Sequence, residues 1–223
     1  MRNLTQCKTC LQPKDWCYCK NIRPIDCGLE FVILLHPLER RRRIASGRMS
    51  HLLLKNSHLA YGHTFSDDKV VKKLLSNPKY FPMILCLGNN AKNLSTMSNQ
   101  EKKGMIPLDK IPLIFVVDGT WGTASKTVRL STNLRLLPRI CFTPERPSGF
   151  RVRTQPKENC LSTLEAIHQT IELLAGTRGF DVKSRKHDHM LDVFNGFVAQ
   201  QADYVRNLKE KNGGLKPRKK KAA

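Results

Sequence analysis

Acidic side chains are scarce in this sequence. Only 18 Asp and Glu stand against 39 Lys and Arg in 223 residues, which leaves a formal net charge of +21 and a pI near 10. Positive charge on that scale predicts a polyanionic partner, most simply nucleic acid, held by phosphate contacts and sensitive to salt. Long apolar runs are missing as well: none approaches the roughly 20 residues of a spanning helix, which excludes a helical membrane protein. A membrane surface is the weaker competitor for the charge, because no basic amphipathic helix stands out. The opening MRNLTQCKTC has no apolar core of a secretory signal, so the chain is expected in the cytoplasm, with its eight cysteines reduced. There is no internal repeat. A hydrophobic content of 40% supports one sizeable domain with a small appendage.

The appendage is read from Cys7-x2-Cys10-x6-Cys17-x-Cys19. Four thiols this close together can close around one tetrahedral Zn²⁺, for which thiolates are preferred structural ligands. The alternatives are free cysteines, or part of a larger cluster that includes Cys27. So short a segment has no core of its own and would depend on its metal to fold. We divide the chain into a four-cysteine zinc-binding segment over 1–28, an α/β domain over 29–208 and a basic tail, Lys216–Lys221 included, over 209–223.

Within the domain, Glu30–His36 reads as a buried strand ending at His36-Pro37. Arg40, Arg41, Arg42 and Arg43 then open a helix carrying Ile44, Met49, Leu52 and Leu53. That arginine run is either a solvated face or a phosphate contact. A strand near Leu59–His63, a helix around Val70–Leu75 and a strand over Met83–Leu87 follow, with a turn at Gly88-Asn89-Asn90. Asn93–Lys103 reads as a polar loop. Leu113–Val117 is a continuous apolar run, suited to a strand covered on both faces. It stops at Asp118-Gly119-Thr120-Trp121, where strand ends border the ligand crevice of an open α/β sheet. Asp118 is either a group for chemistry or an N-cap for the helix near Trp121. That helix carries Ala124, Val128, Leu134 and Leu137 and ends at Pro138, before a strand over Ile140–Phe142. Strands alternating with helices predict a mostly parallel sheet with flanking helices.

Pro144–Pro156 is proline-rich and basic. Arg151 and Arg153 share one side of an extended backbone with Arg146 nearby, which suits either a plain surface loop or a clamp for carboxylate or phosphate. Ser162-x-x-Glu165 is a capping box that opens a helix with Leu164, Ile167, Ile171 and Leu174 inward. A capped helix start also offers N–H groups to an anion. The last helix is expected over Ser184–Leu208, with His187 and His189 on its surface.

Cys-x2-Cys…Cys-x-Cys, His36-Pro37, Asp118-Gly119-Thr120-Trp121, Arg151-x-Arg153-x-Gln155-Pro156 and Ser162-Thr163-Leu164-Glu165-Ala166 recur in one order. Together they resemble the DTW-domain family, from Cys7 to about Tyr204. The resemblance implies a SPOUT-like fold with a C-terminal trefoil knot. It also implies transfer of the 3-amino-3-carboxypropyl group of S-adenosylmethionine to N3 of a tRNA uridine, with 5′-methylthioadenosine left behind. On that reading Asp118 takes the N3 proton, Trp121 stacks on adenine or uracil, and Thr120 holds Asp118 or a cofactor oxygen. Leu87, Gly119 and Leu137 contact the cofactor, and Arg151 or Arg153 holds its carboxylate. Gln155, Ser162, Thr163 and Glu165 complete the pocket. Arg40–Arg43 and Arg146 meet RNA, and Cys7, Cys10, Cys17 and Cys19 hold structural zinc. A SPOUT-type RNA methyltransferase and a noncatalytic zinc-containing RNA-binding protein are the alternatives.

Overall fold

The computed structural model describes residues 6–37, 39, 46–88, 90–150 and 160–211, with the side chains of 121, 205 and 208–211 left aside. Arg40–Arg43, Arg151, Arg153, Gln155 and the Lys216–Lys221 tail therefore lie outside the described residues.

Six parallel strands form one sheet in the order β2-β1-β5-β3-β6-β4. They are β1 (Glu30–Leu35), β2 (Ser57–Tyr61), β3 (Tyr80–Leu85), β4 (Lys92–Asn93), β5 (Ile111–Asp118) and β6 (Arg139–Cys141). The expected strand near 59–63 begins two residues earlier, and Leu87 lies beyond β3 rather than within it. Central β5 is the strand with the continuous apolar run, and Leu113, Ile114 and Phe115 are fully buried. Parallel strands covered on both faces need such a run, because neither set of side chains meets water.

Alternate residues of each strand feed two cores. Phe31, Ile33, Leu35, Ile114 and Val116 pack against α1 (Ser46–Leu53), α6 (Thr163–Leu174) and α7 (His189–Lys211). Val32, Leu34, Leu113 and Phe115 pack against α2 (Lys69–Leu75), α4 (Trp121–Leu130) and α5 (Thr132–Arg135). Helix α3 (Asn99–Met105) sits in the stretch expected to be a loop. Ser98 and Glu101 form a capping box there, and Ile106 joins the first core.

The helix expected from Trp121 to Pro138 is two helices. Ser131 breaks it with an extended backbone: its hydroxyl donates to Thr127 O at 2.8 Å and accepts from Phe65 N at 3.0 Å. That long-range bond to the segment after β2 outcompetes one turn of helix. The cysteine segment docks on α7 through aromatic edges, Trp16 on Tyr204 with centroids 4.7 Å apart and Tyr18 on Phe197 at 5.2 Å.

His187 corrects its surface assignment, since it is fully buried in a 3-10 turn just before α7. It bonds Glu172 of α6 and stacks on His168, centroids 4.7 Å apart. His168 bonds Asp188 at 2.8 Å, and Arg185 bridges Asp188 and Glu172. Burial pushes the Glu172 and Asp188 carboxyls up, but their bonds outweigh it and both sit below the ordinary range. Burial lowers His168, and His187 beside it adds to the effect against the pull of Asp188. Arg185 is thus the main counter-charge of Asp188, and His168 donates as a neutral imidazole.

Both kinds of shift act in one direction. A depressed carboxyl or imidazole stabilises the fold above its unfolded value, and the contribution is lost as pH falls through the folded value. Thermal unfolding midpoints are expected to fall in two stages as pH drops, the imidazole part below about pH 6.5 and the carboxyl part only below about pH 4. His168→Gln should flatten the upper half of that decline, and an unchanged slope between about pH 7 and 5 would refute the assignment.

Candidate active site

Strands β1 and β5 end together, with Leu35 opposite Asp118, at the carboxyl edge of the sheet. Ile114 and Val116 face the α1–α6 layer, so the two-residue period of the strand turns the Asp118 side chain to the same side. There it is 3% exposed and accepts hydrogen bonds from at least three residues. Thr163 Oγ1 donates to Oδ1 at 2.5 Å, Ser46 Oγ donates to Oδ1 at 3.4 Å, and Gly47 N donates to Oδ2 at 3.3 Å. One carboxylate therefore binds the first turn of α1 and the first residue of α6, with α4 starting three positions along the chain. A negative group is favoured at helix N-termini because unpaired N–H groups and the peptide dipoles point toward it.

Asp118 is not the cap of α4. That role belongs to Thr120, whose hydroxyl accepts from Thr123 N at 3.2 Å and lies 3.0 Å from Thr123 Oγ1. Thr120 is thus turned toward its own helix rather than toward Asp118. Gly119 leaves room for this turn, since a Cβ there would stand 2.6 Å from Thr123 Oγ1. The backbone of Trp121 opens α4, and its side chain lies outside the description.

The two short motifs expected to cooperate do meet, through the Thr163–Asp118 bond across 45 residues of chain. Ser162 caps α6, accepting from Glu165 N at 3.3 Å. Glu165 completes the box and also fastens the preceding loop, accepting from Ser148 Oγ at 2.6 Å and from Gly149 N and Ser162 N at 2.7 Å. Those bonds set the loop that carries buried Phe150 onto Phe194, centroids 5.3 Å apart.

Three other expected residues lie on separate segments. Leu87 is 62% exposed beyond β3. Leu137 packs on the second core. Arg146 is exposed in the loop before Ser148.

Sequence reasoning missed Ser46 and Gly47. A glycine at a helix start reads as a weak helix former, and nothing local signals that it makes room for an acid 71 residues away. It also passed over His36 and His63 as a pair: His63 Nδ1 lies 3.0 Å from His36 Nε2 at the same edge. Burial lowers His36, helped by His63 and by Lys126 of α4. His36 belongs to the opposite layer from the Asp118 carboxyl, since Val32 and Leu34 face α2, α4 and α5.

The N-terminal thiols form a second candidate centre. Cys7 Sγ lies 3.8 Å from Cys19 Sγ and Cys10 Sγ lies 3.7 Å from Cys17 Sγ; all four sulfurs fall within 4.8 Å of one another. A tetrahedron with arms of about 2.3 Å, the zinc–thiolate length, has edges of about 3.8 Å. The group can hold a metal ion. Backbone N–H groups of Cys10 and Thr9 bring the Cys7 thiol down to about 6. Burial pushes Cys10 and Cys19 up, against a backbone bond from Gln12 at Cys10 and with the neighbouring sulfurs adding to the rise at Cys19. Cys27 takes no part, being buried with its Sγ 3.8 Å from Leu29 O.

A family model described as the DTW domain matches residues 4–202. The chain is similar to the proteins named tRNA-uridine aminocarboxypropyltransferase 2 of three animals. For Drosophila melanogaster it is 25% identical over 182 residues, 76% of this chain and 66% of that protein. For Mus musculus identity is 25%, and for Macaca fascicularis 23%, each over 174 residues, 76% of this chain and 56% of the relative. The matched region thus spans between 56% and 66% of the relatives' own lengths. No solved structure matches the chain significantly.

The Asp118 junction makes a prediction whose sign opposes helix propensity. Gly47→Ala in a helix would ordinarily stabilise by about 1 kcal/mol. Here the new Cβ would meet Asp118 Oδ2 at 2.7 Å and Cγ at 2.8 Å, so urea unfolding should instead show a loss of about 1–3 kcal/mol. A gain in stability would show that the carboxylate does not occupy this position.

Proposed function

Because this chain belongs to the DTW domain family, we propose that it moves the 3-amino-3-carboxypropyl group of S-adenosylmethionine to N3 of a tRNA uridine. What carries the reading is the junction at Asp118, where the two motifs meet inside the region matched by the family model. The names of the relatives support the reaction class.

S-adenosylmethionine supplies an electrophilic γ-carbon beside its sulfonium. In the transfer, uracil N3 bonds to that carbon, the carbon–sulfur bond breaks with its electron pair passing to sulfur, and 5′-methylthioadenosine leaves. The N3 proton must go to a base. We assign it to the Asp118 carboxylate, reached through water at the strand end. Thr120 fixes the turn, and Trp121 offers a ring face to adenine or uracil, worth about 1–3 kcal/mol. Arg151 or Arg153 orients the methionine carboxylate, with Gln155, Ser162, Thr163 and Glu165 around it and Gly119, Leu87 and Leu137 toward the nucleoside. Orientation of the γ-carbon rather than the methyl toward the nitrogen decides which group moves. Arg40–Arg43, Arg146 and the basic tail add phosphate contacts. The protein works in the cytoplasm, as three segments: the four-cysteine knuckle, the catalytic domain, folded in a SPOUT-like way with a C-terminal knot, and the tail.

A second reading of Asp118 is favoured by its donors and its 3% exposure. In it the carboxylate is a positioning group that holds the N-termini of α1 and α6 toward the crevice. Asp118→Asn separates the two. A base predicts lost turnover with S-adenosylmethionine affinity kept; a positioning group predicts that both fall. Mass spectrometry of tRNA nucleosides tests the reaction itself. An aminocarboxypropyl-sized gain with released methylthioadenosine is expected, whereas a methyl-sized gain with S-adenosylhomocysteine would identify a methyltransferase, and no gain at all would leave an RNA-binding protein.

The cysteine cluster is proposed to hold structural zinc. Metal analysis of protein purified without chelator should return about one zinc per chain, lost in Cys10→Ser together with the near-ultraviolet signal of Trp16 against Tyr204. A metal-free chain with that signal intact would count against it.

A further inference from the structure

The two helical layers differ in charge. The three helices that cover the second core carry Lys69, Lys72 and Lys73 on α2, Lys126 and Arg129 on α4 and Arg135 on α5, all exposed, and contain no acidic residue. The nearest acids precede α2. Asp68 is spent capping Val71 N, and Asp67 pairs with Lys72 at 2.7 Å. The other layer is mixed. Helix α6 has Glu165 and Glu172 and neither lysine nor arginine, α7 sets Asp192 and Asp203 against Arg206, and α1 adds Arg48.

Lys126 and Arg129 are three apart on a helix whose Thr127 and Val128 are buried, so they share its solvent face. Leu130 on that face and Leu136 after α5 are 44% and 83% exposed, apolar contacts within reach of sugars and base faces. Helix α4 starts directly beyond Asp118, and Arg129 stands about 12 Å along it from Trp121 at 1.5 Å per residue. The cationic layer therefore begins at the crevice and runs away from it.

We propose that the α2–α4–α5 layer is the surface on which the tRNA backbone lies, with α4 leading its phosphates to the strand end at Asp118. The proposal rests on the tRNA reading above. A face whose helices carry no acid, with Asp67 at its edge already paired to Lys72, binds a polyanion with little like-charge penalty and releases counterions in proportion to the phosphates it neutralises.

The experiment measures tRNA affinity of the full-length chain against potassium chloride concentration. The wild type, Lys126→Ala/Arg129→Ala/Arg135→Ala, and Lys183→Ala/Lys186→Ala are compared, the last pair being exposed lysines between α6 and α7. The α4–α5 variant should bind about tenfold more weakly at moderate salt, with a salt slope smaller by about three, one for each phosphate no longer neutralised. Its transfer rate at saturating tRNA should stay near wild type while KM rises, and circular dichroism should be unchanged. The Lys183/Lys186 variant should behave as wild type. Equal binding and slope in the α4–α5 variant, or an equal loss in the Lys183/Lys186 variant, overturns the proposal while transfer by the wild type keeps the tRNA reading intact. A wild type that neither binds nor modifies tRNA overturns both.

Discussion

A buried carboxylate can stay in a protein interior only if donors surround it, and Asp118 draws its donors from the starts of two helices far away in sequence. Thr163, Ser46 and Gly47 are there because their helices are, yet the helices approach so closely because the acid lies between them. Gly47 shows how tight the arrangement is: the backbone of α1 comes too near the carboxylate for any side chain. The strand end and the starts of α1 and α6 are tied together by this one group.

The rest of the architecture serves that junction from a distance. Glu165, one turn into α6, uses its two oxygens to hold its own helix start and the loop at Ser148-Gly149. The salt-bridged group of Arg185, Glu172, His187, Asp188 and His168 ties the far half of α6 to the start of α7. Helix α7 in turn carries the cysteine knuckle through Tyr204 and Phe197. A side chain at either end of α6 is thus mechanically connected to the acid at β5.

Much of this was legible in the residues. The apolar run of β5 announces a strand covered on both faces, and Ser162-x-x-Glu165 announces the start of α6, because both signals are local. The Cys7–Cys19 spacing announces the cluster for the same reason. What escaped were outcomes of long-range competition. Ser98-x-x-Glu101 is as good a capping box as the one at Ser162, but the polar segment around it hid a helix whose inward anchors, Met105 and Ile106, come at its end. Ser131 looks like an ordinary helix residue until the Phe65 amide claims its hydroxyl. His187 carries no sign of burial because its partner Glu172 sits on another element. The donors of Asp118 belong to the same class.

The strand order has a consequence in time. Strand β5 lies between β1 and β3, both made earlier in the chain. As the chain leaves the ribosome, β1 can pair only with β2, and β3 has no neighbour until the residues up to 118 have emerged. Those early strands wait with open edges, the state in which parallel sheets are most exposed to wrong pairing. Insertion of β5 closes both gaps at once, and its last residue is the acid that later receives α6. Completing the sheet and starting the site are therefore a single folding event, and a chain stalled before it has neither.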